Sequence, residues 1–479
     1  MCQHAFLRLV RCVTIAAVAL GLAGCTVGAG TPAPSVSRAP ITQTPFDPPL
    51  AFDTEAAIAL PDDLTWDSTS GPTDGILDGV EFYTHDRQAS TVVAIDVRTG
   101  TYLWKRPLGS GTKDEPFAVC NHVADHTFVY TVAATRRKTM KGYYTYSSIV
   151  AIRIDNGEVA WKSREIESDP VSGDSDAGCA ATSLELSDTG LLASSFERAT
   201  GIGLSAATTR MFDPSSGALL WTVAGEVVAH SLNTADFPVG DSSNDGNFGV
   251  LVVGSGQDQG AWVLDLRTGQ KADQLITDSL PSDVPDLGQS RLVLNEVRSL
   301  PNDEIFFRLL LFPYADTFYR FSAAKGTLVT DPFVLGAGDD DTLGRCALSD
   351  TVMVCSWADE WSAGSGFELN TEITAFSISD GHQIWSKELP HSGSFLISDN
   401  TLYNKPSRDY RGDPWPILDA ANGRQLAMVD MPFPLLFNGY GAILGKDAHD
   451  EKSGTDRTVP GTWVPARELV PSSAPRKTG

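Results

Sequence analysis

One phrase recurs along this chain: an apolar strand, an Asp-led turn that closes on Gly, then a second strand that often carries Trp four residues after the Gly. The clearest copy is AIDVRTGTYLW, with Ala94, Asp96, Thr99, Gly100 and Trp104. Further copies centre on Gly157, Gly217, Gly269, Gly326, Gly381 and Gly423, so that successive glycines stand 57, 60, 52, 57, 55 and 42 residues apart. A repeat of this length built from strands and turns predicts a β-propeller. One small sheet cannot bury both of its faces until neighbours stack around an axis.

A second series of turns interleaves with the first: Asp78-Gly79, Asp125, Asp188-Thr189-Gly190, Asp245-Gly246, Asn302-Asp303, Asp350, Asp399-Asn400 and Asn438-Gly439, each between short runs of Val, Leu, Ile, Phe or Tyr. Asn, Asp and Gly accept the left-handed backbone of a tight reversal, so these read as hairpins. The expected fold is all-β, a propeller of four-stranded antiparallel blades. Eight blades are favoured, with N-terminal residues around Leu50 to Leu60 and residues around Thr458 to Pro465 completing the last one; seven is the alternative. Pairing the two chain ends in one sheet removes the free edges of the ring. The propeller is placed at residues 50–447, and the polar segment 448–479 is expected to be partly disordered.

The repeat also accounts for the tryptophans. Trp104, Trp161, Trp221 and Trp385 each follow a repeat glycine by four residues, while Asp273, Thr330 and Ala427 hold that place in the other three copies. One indole per blade held against the next blade is core, because its position repeats around the ring whereas a ligand site is unique.

The front of the chain reads as an export signal. Arg8 and Arg11 precede an apolar run from Val13 to Leu22, ending in Leu22, Ala23, Gly24 and Cys25. The run is shorter than the roughly 20 residues needed to span a bilayer. Its end resembles a bacterial lipobox, which implies a signal peptide at 1–24 and a palmitate-type lipid on Cys25. Residues 25–49, rich in Pro, Thr, Ser and Ala, are expected to be a flexible tether. Four cysteines remain: Cys120, Cys179, Cys346 and Cys355. An even number outside the cytoplasm suits two disulfides, and three pairings exist. The favoured one joins Cys346 to Cys355, which flank a turn at Ser349 and Asp350, and Cys120 to Cys179, which hold similar places in consecutive repeats.

The formal charge of −24 argues against nucleic acid, whose phosphates such a surface repels. One local exception is Arg136, Arg137, Lys138, Lys141, Tyr143, Tyr144 and Tyr146, a basic and aromatic stretch read as an exposed loop between Thr135 and Ser147 and as a candidate partner site. Asp169 to Gly178 and Gly364 to Leu369 are further loops on which partners could dock. His122 and His126 straddle a strand and its turn and are expected at the surface rather than on a metal. Asp241 and Asp245 have the spacing that opens a calcium loop, but Val252 stands where a bidentate Glu is needed, so a polar turn is expected. Asp174, Asp176 and Asp339 to Asp341 read as solvated surface. No GxSxG, HExxH or GxxxxGK[ST] segment is present.

The run Ala94, Asp96, Thr99, Gly100, Trp104 resembles the tryptophan-docking repeat of the pyrroloquinoline-quinone (PQQ) type propeller family, over roughly residues 75 to 430. That family holds quinoprotein dehydrogenases and a non-enzymatic, BamB-like lipoprotein branch. The dehydrogenases typically stack their quinone on a disulfide of adjacent cysteines, and no Cys-Cys pair occurs here. The resemblance therefore implies a monomeric, lipid-anchored, non-catalytic protein without a cofactor. It would sit on the extracytoplasmic face of a bacterial membrane and bind other envelope proteins. The alternatives are a PQQ- and calcium-dependent dehydrogenase and a propeller that senses a small ligand or glycan.

Overall fold

The computed structural model describes Phe46 and residues 48–65, 76–77, 81–86, 90–112, 115, 117–139, 142–168, 182–196, 207–228, 247–253, 260–275, 291–300, 303–312, 315–323, 325–335, 342–358, 371–389, 392–398, 400–406, 413–450 and 455–469. The signal, Cys25, the tether up to residue 45, Cys179, Asp241 and Asp245, the acidic clusters at Asp174 and Asp176 and at Asp339 to Asp341, and the loops at 169–178 and 364–369 lie outside the described residues.

Each repeat builds the same turn. In the first, the Asp96 carboxylate accepts the Arg98 N–H at 2.9 Å while its carbonyl accepts the Gly100 N–H at 2.9 Å. Closing that ring forces Gly100 to φ 66°, a left-handed backbone that costs any residue with a Cβ. The equivalent bonds at Gly157, Gly217, Gly269, Gly381 and Gly423 are 2.8–2.9 Å long, with φ between 69° and 72°. The sequence phrase is thus a turn that folds locally and closes on a glycine in the left-handed region.

These turns join the third and fourth strands of antiparallel sheets. Seven sheets are drawn from consecutive chain, blades 1 to 7, whose first strands are Leu64–Thr65, Phe117–Ala124, Thr182–Ser187, Glu226–Val228, Arg291–Leu300, Thr342–Leu348 and Ser392–Ser398. Three of them, blades 1, 2 and 5, carry an extra short strand: Ile76–Leu77, Ile166–Ser168 and Phe333–Leu335. An eighth sheet, blade 8, combines Leu436–Asn438, Gly441–Asp450 and Thr455–Pro465 with the N-terminal strand Ile58–Ala59. Both ends of the folded chain therefore share one sheet, with Ile58 opposite Trp463 and Ala59 opposite Thr462. The strand Thr455–Pro465 carries the propeller beyond the boundary expected at residue 447. Among the polar residues that suggested a tail stand Val459, Trp463 and Val464, which are buried.

Eight apolar clusters, one at each junction between successive blades, carry the packing around to its start. Trp104, Val119 and Val129 join blades 1 and 2, and Leu64, Ile443 and Trp463 join blade 8 back to blade 1. Among the described residues the only helical element is the short 3₁₀ turn Thr54–Ala56, capped by the Asp53 carboxylate.

The tryptophans dock as the repeat requires. Trp104, Trp161, Trp221 and Trp385 donate their indole N–H to the carbonyls of Ile154, Pro214, Leu266 and Ala420, at 2.8, 2.8, 2.7 and 2.8 Å. Each acceptor lies three residues before the repeat glycine of the next blade. A Cβ added to Gly157, Gly217, Gly269 or Gly423 would strike the corresponding indole at 2.5–3.0 Å. Glycine is needed there twice over, for its backbone and for the ring laid on it.

Cys346 and Cys355 are direct partners on neighbouring strands, Cα to Cα 4.1 Å, and form a disulfide in the core between blades 5 and 6. Cys120 is also disulfide-bonded; Cys179, its expected partner, is beyond the described residues. Replacing Cys346 and Cys355 by Ser should lower the free energy of unfolding by about 2.5 kcal/mol, the chain entropy released by a loop this short. Urea denaturation of the double variant measures it, and an unchanged midpoint would show that the bond adds nothing to stability.

His122 departs from expectation. It is buried at 3 % exposure in the strand Phe117–Ala124. The cause is Asn121, whose positive φ of 53° marks a bulge that shifts the register and turns His122 inwards, opposite Thr131. His126, in the following turn, is exposed, as expected.

Candidate docking surface

The basic and aromatic stretch is not a loop. It is the end of a hairpin made of Phe128–Thr139 and Gly142–Arg153, twelve residues each and the longest strands described. Pairing runs without interruption from Phe128↔Arg153 to Thr139↔Gly142. The sequence permits this because both strands are rich in Val, Ile, Thr and Tyr, with no Pro or Gly between Phe128 and Gly142. A short third strand, Ile166–Ser168, adds Glu167 opposite Tyr146 and so widens the projecting sheet.

The period of two sorts the side chains. Arg137 is opposite Tyr144, and Tyr146 is opposite Thr135, so these four share a face, while Arg136 and Lys138 belong to the other with Thr145. The Arg137 guanidinium is held from two directions. It makes a two-pronged bond to the Glu165 carboxylate at 3.0 and 2.8 Å, and it lies over the Tyr146 ring at 4.6 Å. That carboxylate bond raises the Arg137 pKa, and the guanidinium in turn lowers that of Glu165. With both side chains 38 % and 48 % exposed, the pair orders the surface more than it stabilises the fold.

The root of the hairpin is rigid. Thr145, Ser147 and Ser148 are buried, Thr182 Oγ1 of blade 3 donates to Ser147 Oγ at 3.3 Å, and the Asn121 side chain bonds the Thr182 carbonyl. The ensemble is a stiff ribbon with Arg136, Arg137, Lys138, Tyr144 and Tyr146 at its end, set on a strongly acidic protein. Tyr143 is in the ribbon, opposite Lys138, and its side chain is not described. Sequence reading missed Glu165 and Glu167, since nothing near them signals a strand that turns back onto the hairpin. Among the described residues, no three of His, Cys, Asp and Glu converge in a metal-binding group, and no helix is long and apolar enough to cross a membrane.

Comparison with known proteins agrees with the repeat. The family described as outer membrane protein assembly factor BamB matches residues 57–284. That match covers just under half of the chain and is a likeness to the PQQ-type repeats of that family. No curated protein sequence matches the chain. Among solved structures, quinohemoprotein alcohol dehydrogenase from Comamonas testosteroni is similar at 12 % identity and TM-score 0.43, over 86 % of this chain and 77 % of that one. The dihydro-heme d1 dehydrogenase NirN is similar at 11 % and 0.41, over 86 % and 79 %. A prolyl endopeptidase structure is similar at 11 % and 0.41, over 82 % of this chain and 55 % of that one. The BamB-like repeats span the first four blades, including the projecting hairpin of blade 2 and the indoles Trp104, Trp161 and Trp221.

Proposed function

We propose that the protein is a non-catalytic docking scaffold of the bacterial envelope, anchored by a lipid on Cys25 at the extracytoplasmic face, and that it grips an envelope protein through the end of the blade 2 hairpin. The observation that carries this reading is the hairpin itself. Twice the length of most strands in the ring, it bears Arg and Tyr, the residues that dominate interface hot spots, and it holds Arg137 ready in a fixed pose. An ordered guanidinium and two rings lose little conformational freedom on binding, which favours affinity.

The test places a photocrosslinking residue at Lys138 in native membranes. A discrete crosslinked protein is expected, lost when Tyr144 and Tyr146 are both replaced by Ala and weakened about tenfold or more by Arg137→Ala, as for an interface residue worth over 1 kcal/mol. The variants should unfold at the wild-type urea concentration. Cys25→Ser should release the chain from membranes. Crosslinking indifferent to these changes would sink the docking role, and calcium- and quinone-dependent dye reduction by the purified protein would replace it with an enzyme.

A further inference from the structure

The fourth strand of each blade stands at the end of its sheet, and an end strand turns the N–H and C=O groups of alternate residues away from its one neighbour. In most blades that edge is guarded. Lys105, Lys162, Lys271 and Lys387 stand in the outer strands of blades 1, 2, 4 and 6, and those of blades 5 and 8 are two residues long. The outer strand of blade 7, Gln425–Val429, is uncharged but buries Ala427 and Val429 and runs straight into Asp430. Blade 3 differs from all of these. Its outer strand, Leu219–Ala224, reads LLWTVA, six residues without a charge, a Pro or a Gly. It pairs with Ala207–Phe212, and among the described residues no strand pairs with its other side. Trp221 and Val223 pack into the junction with blade 4, whereas Leu219 and Leu220 are 55 % and 49 % exposed, and Thr222 and Ala224 are exposed beside them. With both leucines about half exposed, the chain itself leaves this stretch open.

We propose that the outer edge of blade 3 takes an extended, uncharged segment of a partner protein as a fifth strand. The backbone sets the kind of occupant, because another extended main chain is what offers donors and acceptors at the spacing of a strand edge. The side chains set its chemistry. A neutral edge with two leucines, on a protein of formal charge −24, gives a charged segment nothing to pair with and favours Val, Ile, Leu or Thr beside it. A second copy of this chain fits less well. Six residues make an edge about 20 Å long, and at a sheet thickness of about 10 Å two copies meeting edge to edge would bury about 400 Å² in all. A stable interface needs roughly 1,200 Å². An extended segment can also close its side chains over Leu219 and Leu220, which a blade fixed in its own ring cannot do. This edge lies on blade 3 and does not depend on the hairpin of blade 2.

The probe is the peptide Gly-Ser-Thr-Val-Thr-Ile-Thr-Val amide with fluorescein at its N-terminus, followed by fluorescence anisotropy on the purified protein. Saturable binding is expected, with a dissociation constant on the order of 0.1 mM, as for a short strand out of its own protein. The same peptide methylated on alternate backbone nitrogens keeps its side chains and loses main-chain donors, and should bind at least about tenfold more weakly. Leu220→Lys gives blade 3 the guard that its neighbours have and should weaken the unmodified peptide about tenfold. Leu220 is exposed, so this variant should unfold at the wild-type urea concentration. Arg137→Ala should leave peptide binding unchanged, which separates this edge from the hairpin. No binding by the wild type, equal binding of the methylated peptide, or equal binding by Leu220→Lys would overturn the proposal. So would a dimer in sedimentation velocity that Leu220→Lys dissolves, because it would give the edge to a second copy.

Discussion

Trp104→Ala should destabilise the protein by about 4 kcal/mol, in the range for truncating a buried Trp. Trp104 is 6 % exposed, bonded to the Ile154 carbonyl and laid on Gly157, and the pocket it would leave is walled by the β-branched residues Val119, Val129, Val150 and Ile152, which have few rotamers with which to collapse inwards. Truncation also strips the Ile154 carbonyl of its donor. Trp161, Trp221 and Trp385 are only half-buried, so the same change there should cost less. Urea denaturation followed by tryptophan fluorescence and by circular dichroism tests the ranking. Equal losses at all four positions would mean that the indoles act by something other than burial.

Gly157→Ala should cost about 3 kcal/mol, from two sources. A residue with a Cβ at φ 69° loses about 1–2 kcal/mol to backbone strain. Its methyl group would then lie 2.8 Å from Trp104 Cδ2, and overpacking of that kind adds about 1–3 kcal/mol. Gly326→Ala isolates the first source, because its φ of 66° imposes the same strain with no described atom in the way; about 1–2 kcal/mol is expected. A double-mutant cycle of Trp104→Ala with Gly157→Ala should show a coupling of 1 kcal/mol or more, about the size of the clash it removes. Losses at Gly157 and Gly326 that agree within error would refute the steric half of the argument.

The repeat could be read from sequence because each copy is a local device. An Asp, a Gly at fixed spacing and a Trp four residues later state a turn, a backbone sign and a docking ring within eleven residues. The facing cysteines of CALSDTVMVC are equally local, nine residues apart on two strands of one hairpin. What could not be read depends on partners distant in the chain. Phe333 takes over the cover of Gly381 from a strand seven residues beyond its own repeat glycine, with no Trp to advertise it. The ribbon of blade 2 reads as a loop because its polar and basic residues look solvated, and its strand character comes from pairing across to Tyr144 and Tyr146 and from the return of Ile166–Ser168. The buried place of His122 follows from one bulged residue, Asn121, whose left-handed backbone no neighbouring residue signals.

Blade 8 makes the order in which the ring is read a convention. The Arg467 N–H donates to the Ala51 carbonyl at 3.0 Å and the Asp53 N–H to Pro465 at 2.8 Å, so the start and finish of the folded chain lie side by side. A permuted gene that began at blade 4 and bridged Arg467 to Ala51 with a short linker would encode the same eight junctions. Its translation would start and stop at a seam of the experimenter's choosing.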